Sequence, residues 1–378
     1  MDCDTIIIWT VVLIRFIAPL FIPKYPLPAI LVCLVVDGAD QTVLQLFTGA
    51  DLSGYQAYDK ALDIFYLTIA MLATMRNWTH RSAVRIAQVL FYQRLLGVFL
   101  FEFIHWRPLL FLMPNTFEYF FIFYEGVRCY WFPERMSRRF YLRVAVYIWA
   151  LIKIPQEYWL HIARLDVTDV IKTQILSRAA GSLWAEIAAQ MIFFCILGLI
   201  FVFSVMLLRH VVLPKEHALK LKADPLPDYI DEACEIDRYI ARWWHLFDRH
   251  LLEKVILVGS VSVIFAQMLP NMDVRPIQLF TATGLIALLN TFMRLKAARA
   301  KRSLDSVTLS FLLLALVNLL VVLVARLLLH NGLVRLPHNH LLFFLLLLTL
   351  IVTLYDRWRP VFDVRFKANV RIVLAGNA

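Results

Sequence analysis

The sequence is poor in charge and lacks the common sequence motifs of enzymes. Charged residues make up 17% of its 378 residues, whereas soluble globular proteins contain about 25%. The five cysteines are scattered without a CxxC spacing, which excludes a zinc finger and a disulfide framework. No P-loop, GxSxG, HExxH or nucleotide-binding glycine motif occurs, so the enzyme classes that depend on these motifs are excluded.

Hydrophobic residues, in contrast, make up 61% of the chain, well above the 45–50% or so of soluble proteins. Many tryptophans and tyrosines lie near the ends of apolar runs, as in the aromatic belts of membrane proteins. The net charge of +10 is the kind of excess that binds nucleic acid. Here the basic residues lie in loops between apolar runs. We therefore predict an integral membrane protein with no nucleic-acid partner.

Because a membrane-spanning helix needs about 20 apolar residues, the apolar runs predict an all-α, polytopic transmembrane helix bundle of about 11 spans. The predicted spans are 5–22, 27–48, 60–75, 86–104, 108–124, 140–154, 184–208, 253–270, 276–293, 306–329 and 340–355. Three regions follow from them. Residues 1–210 form a polar N-terminal transmembrane half, 211–252 a cytoplasmic linker with an interfacial helix, and 253–378 an apolar C-terminal transmembrane half with a basic tail.

Lysines and arginines concentrate in alternate loops, and such loops face the cytoplasm. Eleven spans place all the basic segments on one side of the membrane. This arrangement predicts an outside N-terminus and a cytoplasmic C-terminus in a plasma or bacterial inner membrane. The basic segments are 76–85, 128–143, 294–302 and 357–371.

Residues 228–252 combine apolar and charged positions at helical spacing. Ile240, Trp244, Phe247 and Leu251 recur at intervals of three and four residues, which predicts one amphipathic helix. We expect this cytoplasmic-side helix to lie on the inner leaflet. A helix that docks onto a protein is the alternative.

Four aspartates around a short polar turn form the main candidate site. Asp37 and Asp40 are three residues apart, and Asp59 and Asp63 are four apart, so each pair shares one face of its helix. We predict that the two helices are neighbours and that the four carboxylates converge. Converging carboxylates bind a divalent metal ion or raise one another's pKa until one accepts a proton near neutral pH.

Further polar residues are expected at the same membrane face. Lys153, Glu157 and His161 recur every four residues and share a face if the segment is helical. The predicted catalytic residues are Asp40, Asp59, Asp63 and His161; the predicted substrate-binding residues are Lys153, Glu157, Arg94, Glu102 and His105; and the predicted metal ligands are Asp37, Asp40, Asp59 and Asp63.

Structural interpretations of the same residues stay open. Acids such as Asp59 and Asp63 are favourable at the start of a helix. Asp37 has a structural role if it only forms an ion pair with Arg15 or Arg94 that neutralises its charge inside the bundle. Glu118 then caps backbone groups that Pro114 leaves without partners.

Two resemblances stop short of a family. The pair Asp37-Gly38 with Asp59 and Asp63 resembles fragments of the CDP-alcohol phosphotransferase motif, but Leu34 stands where that motif has its first acid. The number of spans and the outward-facing acids resemble the polyprenol-phosphate-dependent glycosyltransferases in architecture, with no shared motif.

The sequence leaves three functions open. The first is an enzyme that transfers or hydrolyses a group on a lipid-linked or phosphate-bearing substrate, with membrane lipid or a lipid-linked molecule as its partner. The second is a transporter in which the same carboxylates carry coupled protons or cations. The third is a membrane scaffold that uses the basic loops together with Trp243 and Trp244.

Overall fold

The protein is helical in the part of the chain that its computed structural model describes. The described residues are 3–48, 55–106, 108–158, 215–226, 233–268, 276–300, 307–328 and 338–375, together with positions 188, 191, 192 and 195. Over these ranges the chain forms helices and no β-strand. The predicted all-α class is therefore confirmed for the described residues.

The helices are of very unequal length, and a π-helical segment, Ile148–Lys153, joins two of the shorter ones. In chain order they are α1 (Cys3–Ile17), α2 (Pro26–Phe47), α3 (Tyr55–Asn77), α4 (Arg81–Ile104), α5 (Pro108–Leu112), α6 (Thr116–Arg128), α7 (Arg138–Tyr147), α8 (Ile154–Glu157), α9 (Ala233–Trp243), α10 (Arg249–Met268), α11 (Pro276–Arg299), α12 (Val307–Leu328) and α13 (His338–Ala375).

The chain divides into two compact units. Unit 1 comprises Met1–Tyr55 and Arg85–Ala223, and unit 2 comprises Gln56–Val84 and Asp224–Ala378. Nearly all of α3 therefore belongs with the C-terminal helices.

Three helices are long and apolar enough to cross a membrane: Pro26–Gln45, Arg81–Ile104 and Pro276–Arg299. Shorter apolar helices lie at Ile6–Phe21 and Leu309–Leu320. The prediction of a membrane helix bundle is thus supported in part, since three helices among the described residues have the length and the apolar composition of a membrane span. The predicted span 184–208 lies almost wholly outside those residues.

The predicted span 108–124 is two helices. Pro114 lies between α5 and α6, where its ring and its missing N–H stop a continuous helix. Asn115 then begins α6, because its side-chain oxygen accepts a hydrogen bond from the Glu118 backbone N–H and its amide donates to the Glu118 carboxylate at 3.0 Å. The residue that caps this helix is Asn115, and Glu118 holds the cap in place.

Unit 1 packs α1 on α2, α2 on α6 and α6 on the π-helical segment. Phe91 of α4 meets Phe117 of α6 edge to face, with 5.6 Å between the ring centres. A Cβ atom at Gly97 of α4 would lie 2.6 Å from the Cβ atom of Met113. Only glycine permits so close an approach of the two segments.

Unit 2 packs α10 on α11, α12 on α13 and α10 on α13. Phe65 of α3 meets Phe265 of α10 edge to face at 6.4 Å. A Cβ atom at Gly259 of α10 would lie 2.6 Å from the Phe280 ring of α11. The ring of Phe280 therefore fills the space above this glycine.

Loops that were predicted to share one membrane side are hydrogen-bonded to one another within each unit. In unit 1 the Ala223 N–H donates to the Lys24 carbonyl at 2.9 Å, and Lys220 donates in the same way to Cys129 at 3.1 Å. In unit 2 the Arg365 guanidinium donates to the Trp78 carbonyl at 2.7 Å. The grouping of these loops on one side of a membrane stays a prediction.

The predicted amphipathic helix is shorter than expected, and its apolar face packs on protein. Helix α9 ends at Trp243 and α10 begins at Arg249, so 228–252 is not one helix. Ile240 and Trp244 are buried against Leu295 and Ala298 at the end of α11. Helix α11 therefore covers part of the predicted apolar face, whereas Phe247 is 82% exposed, and the placement of this segment on the inner leaflet stays a prediction.

Candidate functional site

A buried ion triad joins α1 to α2 in unit 1. The Arg15 guanidinium donates one hydrogen bond to Asp37 and another to Asp40. The side chains of Arg15 and Asp40 are almost fully buried, whereas that of Asp37 is 24% exposed. The spacing of three residues places both carboxylates on the face of α2 that meets α1. Arg15 is thus one of the two partners proposed from the sequence for Asp37.

The triad contains two acids and one base, so its formal net charge is −1. An acid at membrane depth costs roughly 2.5–3.5 kcal/mol on insertion scales, and pairing with a cation offsets much of this cost. The guanidinium is well suited to bridging two carboxylates because its N–H groups form a rigid fork. Binding a proton or a small cation would make the triad neutral.

The four aspartates of the predicted metal site belong to different units. Asp37 and Asp40 lie on α2 in unit 1, and Asp59 and Asp63 lie on α3 in unit 2. Across the described ranges, which include all four aspartates, no group of three or more His, Cys, Asp or Glu side chains is suited to hold a metal ion. The convergence of the four carboxylates on a divalent ion stays a prediction.

A second polar cluster in unit 1 surrounds Tyr119 of α6. Lys153 and Glu157 are both buried, and the Lys153 ammonium lies 4.1 Å from the centre of the Tyr119 ring. The Tyr119 hydroxyl donates to the Gln156 side chain at 3.5 Å. The chain is helical from Lys153 through Glu157, so the two residues share a face as expected. His161 lies outside the described residues.

The other predicted substrate-binding residues lie on α4. Arg94 is buried, Glu102 is half-buried, and His105 is exposed just beyond the end of the helix. His105 has a φ of 51°, and its N–H donates to the Phe101 carbonyl at 2.8 Å. A residue in this left-handed conformation is a common helix C-terminus. His105 therefore has a structural role in ending α4, and its substrate role stays a prediction.

Unit 2 contains a buried ion pair that the sequence analysis did not single out. Lys254 of α10 is fully buried and pairs with Asp356 of α13. Its ammonium also donates to the Thr291 hydroxyl of α11 at 2.7 Å. Lys254 and Asp356 both lie at the edges of apolar runs. Charges at such positions are predicted to belong to loops, so the sequence does not indicate that these two are buried. Thr349, Thr353 and Asp356 recur at intervals of four and three residues along an apolar stretch. This pattern is the feature of the sequence that could have indicated a buried polar contact.

A second set of charges lies toward the ends of the same helices. The His250 imidazole Nε2 is 3.3 Å from the Asp363 carboxylate, and its Nδ1 lies 3.3 Å from the Arg359 Nε. Arg359 also contacts the Glu253 carboxylate at 3.1 Å. The Trp244 ring stacks on the imidazole with 4.9 Å between the ring centres. Helices α10 and α13 and Trp244, the residue after α9, therefore meet at His250.

Two further contacts bring α9 and α11 into this region. Arg294 of α11 pairs with the buried Asp237 of α9 at 2.8 Å. Burial raises the pKa of Tyr239 on α9, and the nearby Asp363 carboxylate raises it further. This hydroxyl therefore stays neutral in this charged region.

Two apolar grooves lie along the surface of α1 and α2. One, of about 340 Å³, is lined mainly by isoleucines and valines and also by Asp40. The other, of about 470 Å³, is lined by Leu13, Ile17 and Phe21 among others. An apolar groove beside a carboxylate is suited to a hydrocarbon chain with a polar end.

No protein-family model, no curated protein and no solved structure matches the chain. The triad, the Tyr119 cluster, the grooves and the unit 2 charges are therefore the basis for its function.

Proposed function

We propose that the protein is a membrane transporter in which a proton or a small cation binds to the Arg15–Asp37–Asp40 triad. The observation that carries this proposal is the pairing of the buried Asp40 and the partly buried Asp37 with one guanidinium between apolar helices. Charged groups inside membrane proteins are costly and usually lie on ion or substrate pathways.

The Tyr119 cluster supports a polar solute as the transported species. Lys153, Glu157 and Glu118 are all buried in unit 1, and α6, which carries Tyr119, packs against α2, which carries the triad. Protonation of the triad would change the charge on α2 beside this cluster. The solute and the proton would then be coupled through the contact between α2 and α6.

The membrane arrangement belongs to the same proposal. We place about 11 spans in a plasma or bacterial inner membrane, with the N-terminus outside and the C-terminus in the cytoplasm. The hydrogen bonds among the Lys24, Cys129 and Ala223 loops support this arrangement. So does the contact of Arg365 with the Trp78 carbonyl.

An enzyme acting on a lipid-linked or phosphate-bearing substrate is the second candidate. The groove lined by Asp40 supports it, because a lipid chain in that groove would bring its polar end close to the triad. A phosphate, however, would meet a guanidinium that two carboxylates already neutralise. The carboxylates would then repel the phosphate. A divalent metal ion between the carboxylates and the phosphate would remove this repulsion.

Proteoliposomes containing the full chain and a pH-sensitive dye test the proposal. A panel of solutes is supplied under inward proton, sodium and potassium gradients, and the change in internal pH and the uptake of each solute are measured. We expect gradient-dependent uptake that is lost in Asp37→Asn and Asp40→Asn. The exposed Glu134 provides the matched control, Glu134→Gln, which should transport as the unchanged protein does.

Two outcomes contradict the proposal. Uptake that both variants retain would separate transport from the triad. Product formation from a lipid-linked substrate, without solute uptake, would support the enzyme. Circular dichroism of each purified variant shows whether it is folded before its transport is interpreted.

A further inference from the structure

Helix α13 carries a line of buried polar residues from its middle toward its C-terminal end. Thr349, Thr353, Asp356, Arg359 and Asp363 follow one another at intervals of three and four residues, so they share one face of the helix. The first three are fully or almost fully buried, and the last two are mostly buried. Buried positions are rarely polar or charged, so a buried polar line of this length is unusual.

Most residues of this line meet a polar group of another helix, whereas the Thr353 hydroxyl donates to the Thr349 carbonyl of α13 itself. Asn318 of α12 donates to Thr349 at 2.9 Å, and Lys254 of α10 pairs with Asp356. The line ends at Glu253 and His250 of α10, which meet Arg359 and Asp363. His250 is half-buried, so the line runs from the interior of the unit to water.

Stability alone does not account for the Lys254–Asp356 pair. Well-packed apolar residues of similar volume stabilise a protein as well as a buried ion pair does, or better. A buried pair that is connected to water by other titratable groups is better explained by the movement of a proton.

Two buried amides near the pair lack partners within the described ranges. Asn290 of α11 is fully buried, and neither its amide nitrogen nor its amide oxygen has a hydrogen-bond partner there. The side-chain oxygen of Asn318 is in the same situation. Buried amides almost always have partners, and ordered water commonly provides them. Asn290 stands next to Thr291, the residue that binds the Lys254 ammonium.

We propose that Asp356 and Lys254 form a proton-binding site, reached from water through His250 and the polar line of α13. A proton from water passes along the line, and an O–H bond forms at the Asp356 carboxylate. The ion pair then opens, and the Lys254 ammonium stays on the Thr291 hydroxyl and 5.7 Å from the centre of the Tyr355 ring. On release the O–H bond breaks, the proton returns to water, and the ion pair forms again.

Other charged groups surround the Lys254–Asp356 site. On α10 these are His250 and Glu253, and on α13 they are Arg359 and Asp363. Arg294 of α11 adds a positive charge, which Asp237 of α9 balances. Tyr239 of α9 stays neutral. This inference goes beyond the proposed transporter, because it concerns unit 2 and does not require the triad.

Infrared difference spectroscopy of the full chain in lipid nanodiscs tests the proposal. Spectra recorded in acidic and alkaline buffer show a band for each carboxylic acid that forms. We expect Asp356→Asn to lose one such band that Glu134→Gln keeps. The double variant Lys254→Met with Asp356→Leu should lose the same band and stay folded, because no buried charge is left without its partner.

The conservative variant Asp356→Glu separates a proton site from a structural pair. We expect it to keep a band at a shifted frequency, since a carboxyl group remains beside Lys254. The proposal is overturned if the unchanged protein shows no band that depends on Asp356, or if Asp356→Asn retains every band. Asp40→Asn should leave the Asp356 band in place, so failure of the triad proposal is distinguishable from failure of this one.

Discussion

The two units hold their buried charges in different ways. In unit 1 the single guanidinium of Arg15 binds two carboxylates between α1 and α2. In unit 2 the contacts run from one acid to one base, as in Lys254 with Asp356 and Arg294 with Asp237. A triad with excess negative charge favours a proton or a cation. A balanced pair can take up a proton only if the pair opens.

The difference between the Arg15 triad and the Lys254–Asp356 pair shows that the number of buried charges does not by itself predict the function of a helix bundle. The sequence of the N-terminal half is richer in charges at membrane depth, but the denser network of contacts lies in unit 2. What separates the Arg15 triad from the Lys254–Asp356 pair is the ratio of acids to bases at the contact, since unit 1 also contains a one-to-one pair, Arg128 with Glu125. This ratio predicts how each unit responds when one partner is removed.

The largest effect is expected from Arg15→Met. It leaves Asp37 and Asp40 buried without the guanidinium, and removing one partner of a buried pair typically costs about 3–5 kcal/mol. We expect a loss of at least this size in the free energy of unfolding, measured by urea denaturation in detergent. Arg15→Lys should lose less, because it keeps the charge. Arg139→Met, at an exposed position of unit 1, is the control; a loss in that variant equal to that of Arg15→Met would contradict the prediction.

Lys254→Met tests the balanced pair of unit 2. It should also cost about 3–5 kcal/mol, because Asp356 keeps its charge in an apolar site. Adding Asp356→Leu should restore most of the stability, since the pair is one to one. In unit 1 the combination of Arg15→Met with Asp40→Asn should restore less, because Asp37 stays charged. Equal recovery in the two units, measured by the same denaturation, would remove the distinction between them.

Substitution of the two close-packed glycines, Gly97 in unit 1 and Gly259 in unit 2, should give a smaller difference in stability between the units. Overpacking typically costs about 1–3 kcal/mol. Gly97→Ala should fall toward the upper end of this range, because its new Cβ would meet the Cβ of Met113, which is tied to the backbone. Gly259→Ala should cost less, because the Phe280 ring can shift. Thermal unfolding measures both, and Gly126→Ala, which has no neighbour within 4 Å, should instead stabilise α6.

The smallest effect is expected at the surface of unit 1. Arg135 contacts Glu216 at 2.6 Å, but its side chain is 68% exposed. Exposed pairs contribute about 0–1 kcal/mol. Arg135→Met should therefore leave the melting temperature nearly unchanged, and the small loss should shrink further at high salt. A drop as large as that of Arg15→Met would show that the loop at 215–226 stabilises the whole unit.

Much of the fold could be predicted from local patterns. The long apolar runs at 27–48, 86–104 and 276–293 predict helices that the structure contains. Arg15 is one of the two partners predicted for Asp37, and the structure contains this contact. The break at Pro114 was harder to predict from the sequence, because the apolar run continues through the proline.

The candidate site was harder to predict than the helices. Asp59 is grouped with Asp37 because only a short turn separates their helices; α3 belongs with unit 2, and the convergence of the carboxylates stays a prediction. The analysis also passed over Lys254 and Asp356, since each stands at the edge of an apolar run. A count of charges along the sequence gives no information about which helices later meet.

The sequence by itself determined the helical class and the apolar character of the candidate spans. These properties depend on neighbours three or four residues apart, so they can be read from a single segment. Tertiary structure decided which charges pair, because Arg15 meets an aspartate 25 residues away and Arg365 meets a carbonyl 287 residues away. Such contacts depend on how the helices pack, and packing joins residues that no local period relates.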